Sequence, residues 1–345
     1  MEFTKNKTLN WSRGELRHLT NCPACKQEIT SPPLHERQDD ENLMPEKWQI
    51  YLCKKCTSTF VNPQPADSSL AGLYQDYLTH KPISSDPVFT SQGLVWRLIR
   101  GYLAKRFSLR TEQPTLKFGY YLFMALPPLR YKLDRYGRNL HNERFKNKGK
   151  LLDFGCGAGE FLKISGQMGW ETYGCDFDPV VVTSCQAEGF DVRLGDLTAF
   201  DSSEKFDVIT MNQVIEHVID PQQTIKDCFA ALNKKGCLWI GTPNPNAYGA
   251  ATFGAAWAGW HPPYHLCLPS QSELVRWMQE AGFSHIQVLQ RGPHAKFNWS
   301  ASIELANKHG IVIKPMHKLY FYFADLMNCI TPIKGEETVI IGCRN

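Results

Sequence analysis

The 345-residue sequence has no apolar run approaching the roughly 18 residues of a membrane span. It has no basic stretch followed by an apolar core and a small-residue cleavage site near its start, so no secretory leader is expected. An excess of one charge is also missing. The 38 Lys and Arg against 34 Asp and Glu leave +4, too mild to mark a nucleic-acid protein by itself. Internal repeats and low-complexity tracts are absent. What remains is an ordinary balance, 43% hydrophobic and 21% charged. A chain of this size can build a sizeable core without disulfides.

Cysteine is the residue in excess, with twelve. Four form two Cys-x-x-Cys pairs, Cys22 and Cys25 in "CPACKQ" and Cys53 and Cys56 in "YLCKKC". Two such pairs brought together offer four thiolates in a tetrahedral set, which suits a structural zinc ion. Lys54 and Lys55 would offset part of its negative charge. Free thiols or a redox pair are the alternatives, although neither pair opens an evident strand-to-helix turn. Metal would replace the core that a segment of about 45 residues cannot build. The other eight cysteines are scattered among apolar neighbours and are expected to be reduced, as in a cytoplasmic protein.

A proline-rich boundary, "VNPQPADSS", ends the first piece. Helical spacing follows in "LAGLYQDYLTH", whose Tyr74 and Tyr77 could reach an acceptor pocket or simply pack. "LVWRLIRGYLAKRF" puts Leu94, Val95, Leu98, Ile99 and Tyr102 largely on one face, with Arg97, Arg100, Lys105 and Arg106 around it. Such a helix is a lid or packing helix with a solvated face, or one that lies on an anionic membrane. A further helix restarts after Pro127–Pro128. From residue 150 strands and helices alternate, the pattern of a doubly wound, mostly parallel sheet. The expected units are a zinc-ribbon-like segment 1–66, a helical linker or lid 67–146, and an α/β domain 147–345 with seven strands.

The first strand of that domain runs into "LLDFGCGAGEFL". A glycine turn between strand and helix often cradles pyrophosphate. Here Asp153 precedes it, Asp176 ends the next strand, and Asp196 ends the third. No lysine or Ser/Thr follows the turn to hold phosphate. Asp176 can accept two ribose hydroxyls, and Asp196 an adenine amino group. Acids along one sheet edge suit a positively charged nucleoside, S-adenosylmethionine, and oppose a diphosphate.

The series "LLDFGCGAGEFL", "YGCDFDP", "GDL", "FDVITMNQVIEHVIDP", "LNKKGCLWIGTPNP" and "HPPYHLCLPSQSELVRWMQEAGF" resembles the successive motifs of class I S-adenosylmethionine-dependent methyltransferases. The likeness covers roughly 148–290 and the final strand. It is closest to the branch that includes quinone, sugar and other small-molecule methyltransferases. The N-terminal cysteines resemble those of a zinc-bearing subgroup common among sugar-modifying members. The resemblance implies that Asp153, Gly155 and Gly157 line the methionine end of the cofactor. It implies Asp176 and Phe177 at ribose and adenine, Asp196 and Leu197 around adenine, and Asn212 and Gln213 closing over it. The helical insertion before 146 has no counterpart that aligns.

Methyl transfer needs the nucleophile held in line with the methyl, and a base where a proton must leave. Glu216 and His217 in "IEHV", and His261, Tyr264 and His265 in "HPPYHL", fall after the fourth and fifth strands. His265 is the first candidate base; His217 is a base or a brace. The run "FGAAWAGWHPPY" would form a water-excluding rim or belong to the core. The expected function is O- or C-methylation of a small-molecule, sugar or lipid-linked acceptor, by a cytoplasmic enzyme peripheral to the inner face of the membrane. An RNA methyltransferase gripping nucleic acid with its zinc ribbon is the alternative. The loop between the cysteine pairs carries Asp39, Asp40 and Glu41, and "NQVIEH" lacks the Asn/Asp-Pro-Pro-aromatic motif of amino-methylating enzymes. A non-catalytic module on the same fold would bind cofactor without turnover.

Overall fold

The computed structural model describes residues 11–40, 45–73, 86–141, 143–314 and 317–345. Tyr74 and Tyr77 lie outside the described residues. The N-terminal segment is made of short strands: β1 (Leu16–Arg17), β2 (His35–Gln38), β3 (Lys47–Leu52), β4 (Thr59–Val61) and β5 (Gln64–Pro65). Each cysteine pair closes a turn of the same kind. Lys26 N donates to Cys22 O and Thr57 N to Cys53 O, both at 2.9 Å. Lys26 and Thr57 both adopt left-handed backbone, φ 62° and 59°, a conformation costly for a residue with a Cβ.

Helices follow: α1 (Leu70–Leu73), α2 (Pro87–Thr90), α3 (Leu94–Phe107), α4 (Phe118–Met124) and α5 (Pro127–Asp134). The face that α3 buries differs from the expected one. Tyr102, Leu103 and Phe107 are buried, whereas Leu94 and Val95 are 63% exposed. Gly101 explains part of the shift, because a Cβ there would sit 1.8 Å from the Leu116 carbonyl oxygen. Arg100, expected at the polar rim, is fully buried and donates to the carbonyls of Val88, Ser91 and Pro114. Its guanidinium thereby fastens α3 to the chain on either side.

The α/β domain runs β6 (Lys150–Phe154), α6 (Glu160–Gln167), β7 (Glu171–Asp176), α7 (Pro179–Ala187), β8 (Asp191–Leu194), β9 (Phe206–Asn212), α8 (Pro221–Ala231), β10 (Leu232–Pro243) and α9 (Tyr248–Phe253). It continues with β11 (Cys267–Leu268), α10 (Gln271–Ala281), β12 (Ser284–Leu289), α11 (Ala295–Lys308), α12 (His317–Ile330) and β13 (Glu337–Cys343). The helix starts are legible in side chains. Asp178, Asp220 and Ser270 each accept a backbone N–H as N-caps, and Ser270 with Glu273 sits at capping-box spacing.

The seven-stranded sheet has the order β12-β13-β10-β9-β6-β7-β8. β6, β7, β8, β9 and β10 pair in parallel, and β13 runs antiparallel between β10 and β12. The central strands are apolar runs buried on both faces, as parallel strands under helices must be. The chain reverses its winding between β6 and β9, so their carboxyl ends mark the ligand crevice.

Two features depart from expectation. The N-terminal sheet has the order β11-β4-β3-β2, so it borrows a strand from the α/β domain. The cysteines are not all thiols: Cys237 on β10 and Cys343 on β13 are joined in a disulfide. They are register partners on adjacent antiparallel strands, a proximity that a separation of 106 residues hides in the sequence. Non-reducing peptide mapping is expected to recover the Cys237–Cys343 link. Reduction is expected to cost about 2–4 kcal/mol in urea unfolding; unchanged unfolding with and without reductant would show that the link contributes nothing.

Candidate active site

The glycine turn leaves β6 with Gly155, Gly157 and Gly159 all in left-handed backbone, φ 69°, 50° and 78°. A Cβ on Gly155 would lie 2.4 Å from Val214 Cγ2, so the turn packs against the loop after β9. Around Gly157 nothing lies within 4 Å of a Cβ position, which leaves its backbone open to a ligand. Asp176 braces the turn, its carboxylate accepting from Gly157 N at 2.9 Å and Asp178 N at 3.0 Å. Phe177 beside it is 63% exposed. Asp196 stands two residues beyond the end of β8 and caps a short helical turn at Leu197, accepting from Thr198 N and Oγ1 at 2.8 and 2.6 Å. A cavity of about 420 Å³ opens beside it, lined by Phe154, Leu197, Phe200, Phe206 and Thr224. Asn212 is exposed at the end of β9. Gln213 turns toward β13, its Nε2 donating to Glu337 Oε1 at 3.3 Å, on the far side of β9 and β10 from the glycine turn.

Asp153 does not contribute an open negative charge to this edge. It is 1% exposed and clasped by Arg138, whose Nη1 and Nη2 donate to its two oxygens, while Thr210 Oγ1 donates at 2.9 Å. Burial pushes its pKa up, against the pull of Arg138 and Thr210. Arg138 also lies over the Phe161 ring at 3.7 Å. The expected row of acids is therefore Asp176 and Asp196, with Asp153 neutralised behind them. Arg138 and Thr210 escaped the sequence reading. Thr210 is a polar residue inside a buried strand, in register with Asp153, and that was the available signal.

The carboxyl ends of β9 and β10 carry a second cluster. One ligand atom from each of Glu216, His217 and His265 lies within 4.8 Å of the others, a spacing that could hold a metal ion. Glu216 is fully buried; Thr242 Oγ1 donates to its Oε2 at 2.9 Å, and Oε1 has no hydrogen-bond partner among the described residues. Burial raises its pKa to about 8. His265 Nδ1 donates to Gly259 O at 2.9 Å and His217 Nδ1 to Tyr264 O at 3.0 Å, which makes Nε2 the unprotonated nitrogen of the neutral His265 ring. Burial lowers His265 to about 4 and His217 well below its usual value, so both rings are neutral near pH 7. His261 is half-buried, and desolvation lowers it to about 3. The run around them is core and not rim: Phe253, Trp257, Trp260 and Tyr264 are at most 3% exposed.

The loop bearing His265 is fixed from two sides. Leu266 N and Cys267 N both donate to Glu216 O, at 2.8 and 3.2 Å. On the other side Val61 N and Gln64 Nε2 donate to Leu266 O, and β11 pairs with β4. The Cys-x-x-Cys segment thus buttresses the loop of the candidate base. Its own sulfurs approach in pairs, Cys22–Cys56 at 3.8 Å and Cys25–Cys53 at 3.6 Å. Four ligands about 2.3 Å from a tetrahedral zinc ion would be about 3.8 Å apart, so the donor set fits that ion.

Residues 129–288 match the family model described as "Methyltransferase domain". A ubiquinone biosynthesis O-methyltransferase of Pseudomonas fluorescens (strain SBW25) is 31% identical over 163 residues, covering 42% of this chain and 69% of the relative. The chain belongs to the class I S-adenosylmethionine-dependent methyltransferases. A second such relative, from Saccharophagus degradans, is 34% identical over 149 residues, 39% of this methyltransferase and 62% of that protein. A solved S-adenosylmethionine-dependent methyltransferase from Archaeoglobus fulgidus is 18% identical with a TM-score of 0.42, covering 65% of this chain and 99% of its own. The family match takes in Arg138, the glycine turn and His265 but none of the four paired cysteines.

The buried acid of this methyltransferase gives a signed pH dependence. A carboxyl whose folded pKa is raised contributes most below its unfolded value of 4.5, and that contribution is lost as pH rises to about 8. The lowered histidines act oppositely, but only below about 6.5. Glu216→Gln is therefore expected to gain about 2 kcal/mol of stability relative to the parent between pH 6.5 and 8.5. Parallel denaturant titrations at the two pH values check this; equal differences at both would mean Glu216 is ionised throughout.

Proposed function

We propose that this methyltransferase methylates an oxygen or carbon of a small-molecule acceptor, of sugar, quinone-like or lipid-linked type, with His265 as base. The observation that carries the reading is the Glu216–His217–His265 cluster. It combines a neutral imidazole, tethered through Nδ1, with a buried acid whose second oxygen is unspent. The name of the relatives, ubiquinone biosynthesis O-methyltransferase, supports an oxygen nucleophile as the first case to test.

S-adenosylmethionine supplies, when bound, a methyl group already activated on a sulfonium. The chain's own task is then orientation, which alone can lower a barrier by about 7–11 kcal/mol. In this reading Gly155 and Gly157 admit the methionine end, with Asp153 held behind the turn by Arg138. Asp176 takes the ribose hydroxyls, and Phe177, Asp196 and Leu197 frame the adenine. Asn212 covers the cofactor, while Gln213, tied to Glu337, faces the acceptor side. His265 Nε2 accepts the acceptor's proton, and Glu216, once ionised, stabilises the imidazolium. His217 holds the loop through Tyr264 O and is the second candidate. Zn²⁺ on Cys22, Cys25, Cys53 and Cys56 is structural and keeps β4 in place under β11. The units 1–66, 67–146 and 147–345 then serve as buttress, cover and catalytic domain.

Asp176→Ala is expected to weaken S-adenosylmethionine binding at least about tenfold by calorimetry. His265→Ala is expected to slow turnover about 10²- to 10⁴-fold with cofactor affinity kept. Acceptors for that assay come from screening cell extracts with methyl-labelled cofactor. Full activity in His265→Ala would remove it as the base. Metal analysis is expected to find one zinc per chain, and Cys53→Ser to lose both the metal and most turnover. A metal-free, active protein would end the buttress role.

A further inference from the structure

The cluster and the glycine turn leave one part of the molecule unexplained, the outer surface of α3, α4, α5 and α12. Residues 94–135 hold nine Lys and Arg against two Asp and Glu, a net +7, in a chain whose total is +4. The remainder of the protein is therefore net negative, and its positive charge is gathered on this segment. Arg97, Lys105, Lys117, Lys132 and Arg135 are exposed.

Large apolar side chains share that surface. Phe118 and Tyr121 on α4 are 64% and 60% exposed, and Leu94 and Val95 on α3 are each 63% exposed. The two helices cross closely: Leu116 N donates to Arg97 O, and Lys105 Nζ to Tyr121 OH. Leu126 and Leu129 extend the surface along α5. A Cβ on Gly292 would meet the Lys132 backbone, and Gly292 O accepts from Asn328 of α12, so α12 flanks the same junction. On α12, Tyr322, Leu326 and Ile330 are 65%, 59% and 69% exposed. Their i, i+4, i+8 spacing makes them one stripe, which burial of Ala324 and Asn328 on the opposite face leaves turned outward.

An apolar helix stripe with an adjoining basic field is the composition of a surface that sits in a bilayer interface. No described helix is long and apolar enough to cross a membrane. We infer that this face docks on an anionic lipid membrane, with the α12 stripe entering the interface and Arg97, Lys105, Lys117, Lys132 and Arg135 meeting the headgroups. A second copy of the chain fits less well, because a two-fold dimer through this face would press one +7 segment against another. The inference deepens the proposed function in one respect and rests on it there: Arg138 ends the same helical segment at the cofactor turn, so docking would set the acceptor side near lipid.

Co-sedimentation of the full chain with vesicles tests this. Binding is expected with vesicles of phosphatidylcholine containing about 30 mol% phosphatidylglycerol, and not with phosphatidylcholine alone. Raising salt to about 0.5 M should weaken it at least tenfold. The double variants Leu326→Ser/Ile330→Ser and Arg97→Glu/Lys117→Glu should each lose about tenfold or more in partition. Their melting temperature and S-adenosylmethionine affinity should not change, since every substituted side chain is outside the candidate site. Charge-independent binding, unchanged binding by both variants, or no binding overturns the proposal. So does a concentration-dependent dimer that both variants dissolve. Cofactor affinity measured on the same samples separates the two readings: its loss in the parent chain would count against the methyltransferase site and leave the vesicle result standing.

Discussion

A carboxylate buried at the end of β6 sets the terms for much of this molecule. Asp153 sits where the sheet reverses its winding, out of reach of water, and a lone charge there would be expensive. Arg138 answers it, and Arg138 belongs to the segment that follows α5. The ion pair therefore does more than neutralise an acid. It draws residues 94–138 down onto the sheet edge, with Phe161 beneath the guanidinium. The glycine turn lies immediately beyond, so the geometry offered to a cofactor depends on a contact that itself makes none.

The opposite side of the crevice is governed by backbone. Glu216 holds the 266–267 amides through its carbonyl and the Thr242 hydroxyl through its carboxyl, so one residue ties β9, β10 and the His265 loop together. Strand pairing to β4 closes the loop from outside. The base proposed at His265 is useful only when its support is rigid. Here the support comes from a cysteine-rich segment more than 200 residues upstream, which gives that segment a role beyond decorating the N-terminus.

How much of this could be read in the letters depended on whether the cause was local. The starts of α7, α8 and α10 are written in consecutive residues, as the caps Asp178, Asp220 and Ser270 ahead of an apolar period. The doubly wound sheet followed from the alternation of elements. Asp176 and the histidine cluster were visible as residue types at strand ends. Arg138 was not, since nothing adjacent to it announces that its partner is Asp153. The Cys237–Cys343 link, the β11–β4 pairing and the buried state of Arg100 were hidden for the same reason: each joins elements distant in sequence or depends on which way a helix is turned. The aromatic run 253–264 could be read as rim or core, and its burial decides for core, with Trp257 Nε1 donating to the buried Glu336 carboxylate.

The shared strand has a consequence for biosynthesis. A ribosome releases β4 roughly 200 residues before β11 exists. At about 5–20 residues per second the nascent sheet waits on the order of 10–40 s with an open edge. During that interval the two sulfur-bearing turns are the obvious means of keeping the early strands in register. The metal proposed for those turns would then act before the strand it supports has a partner.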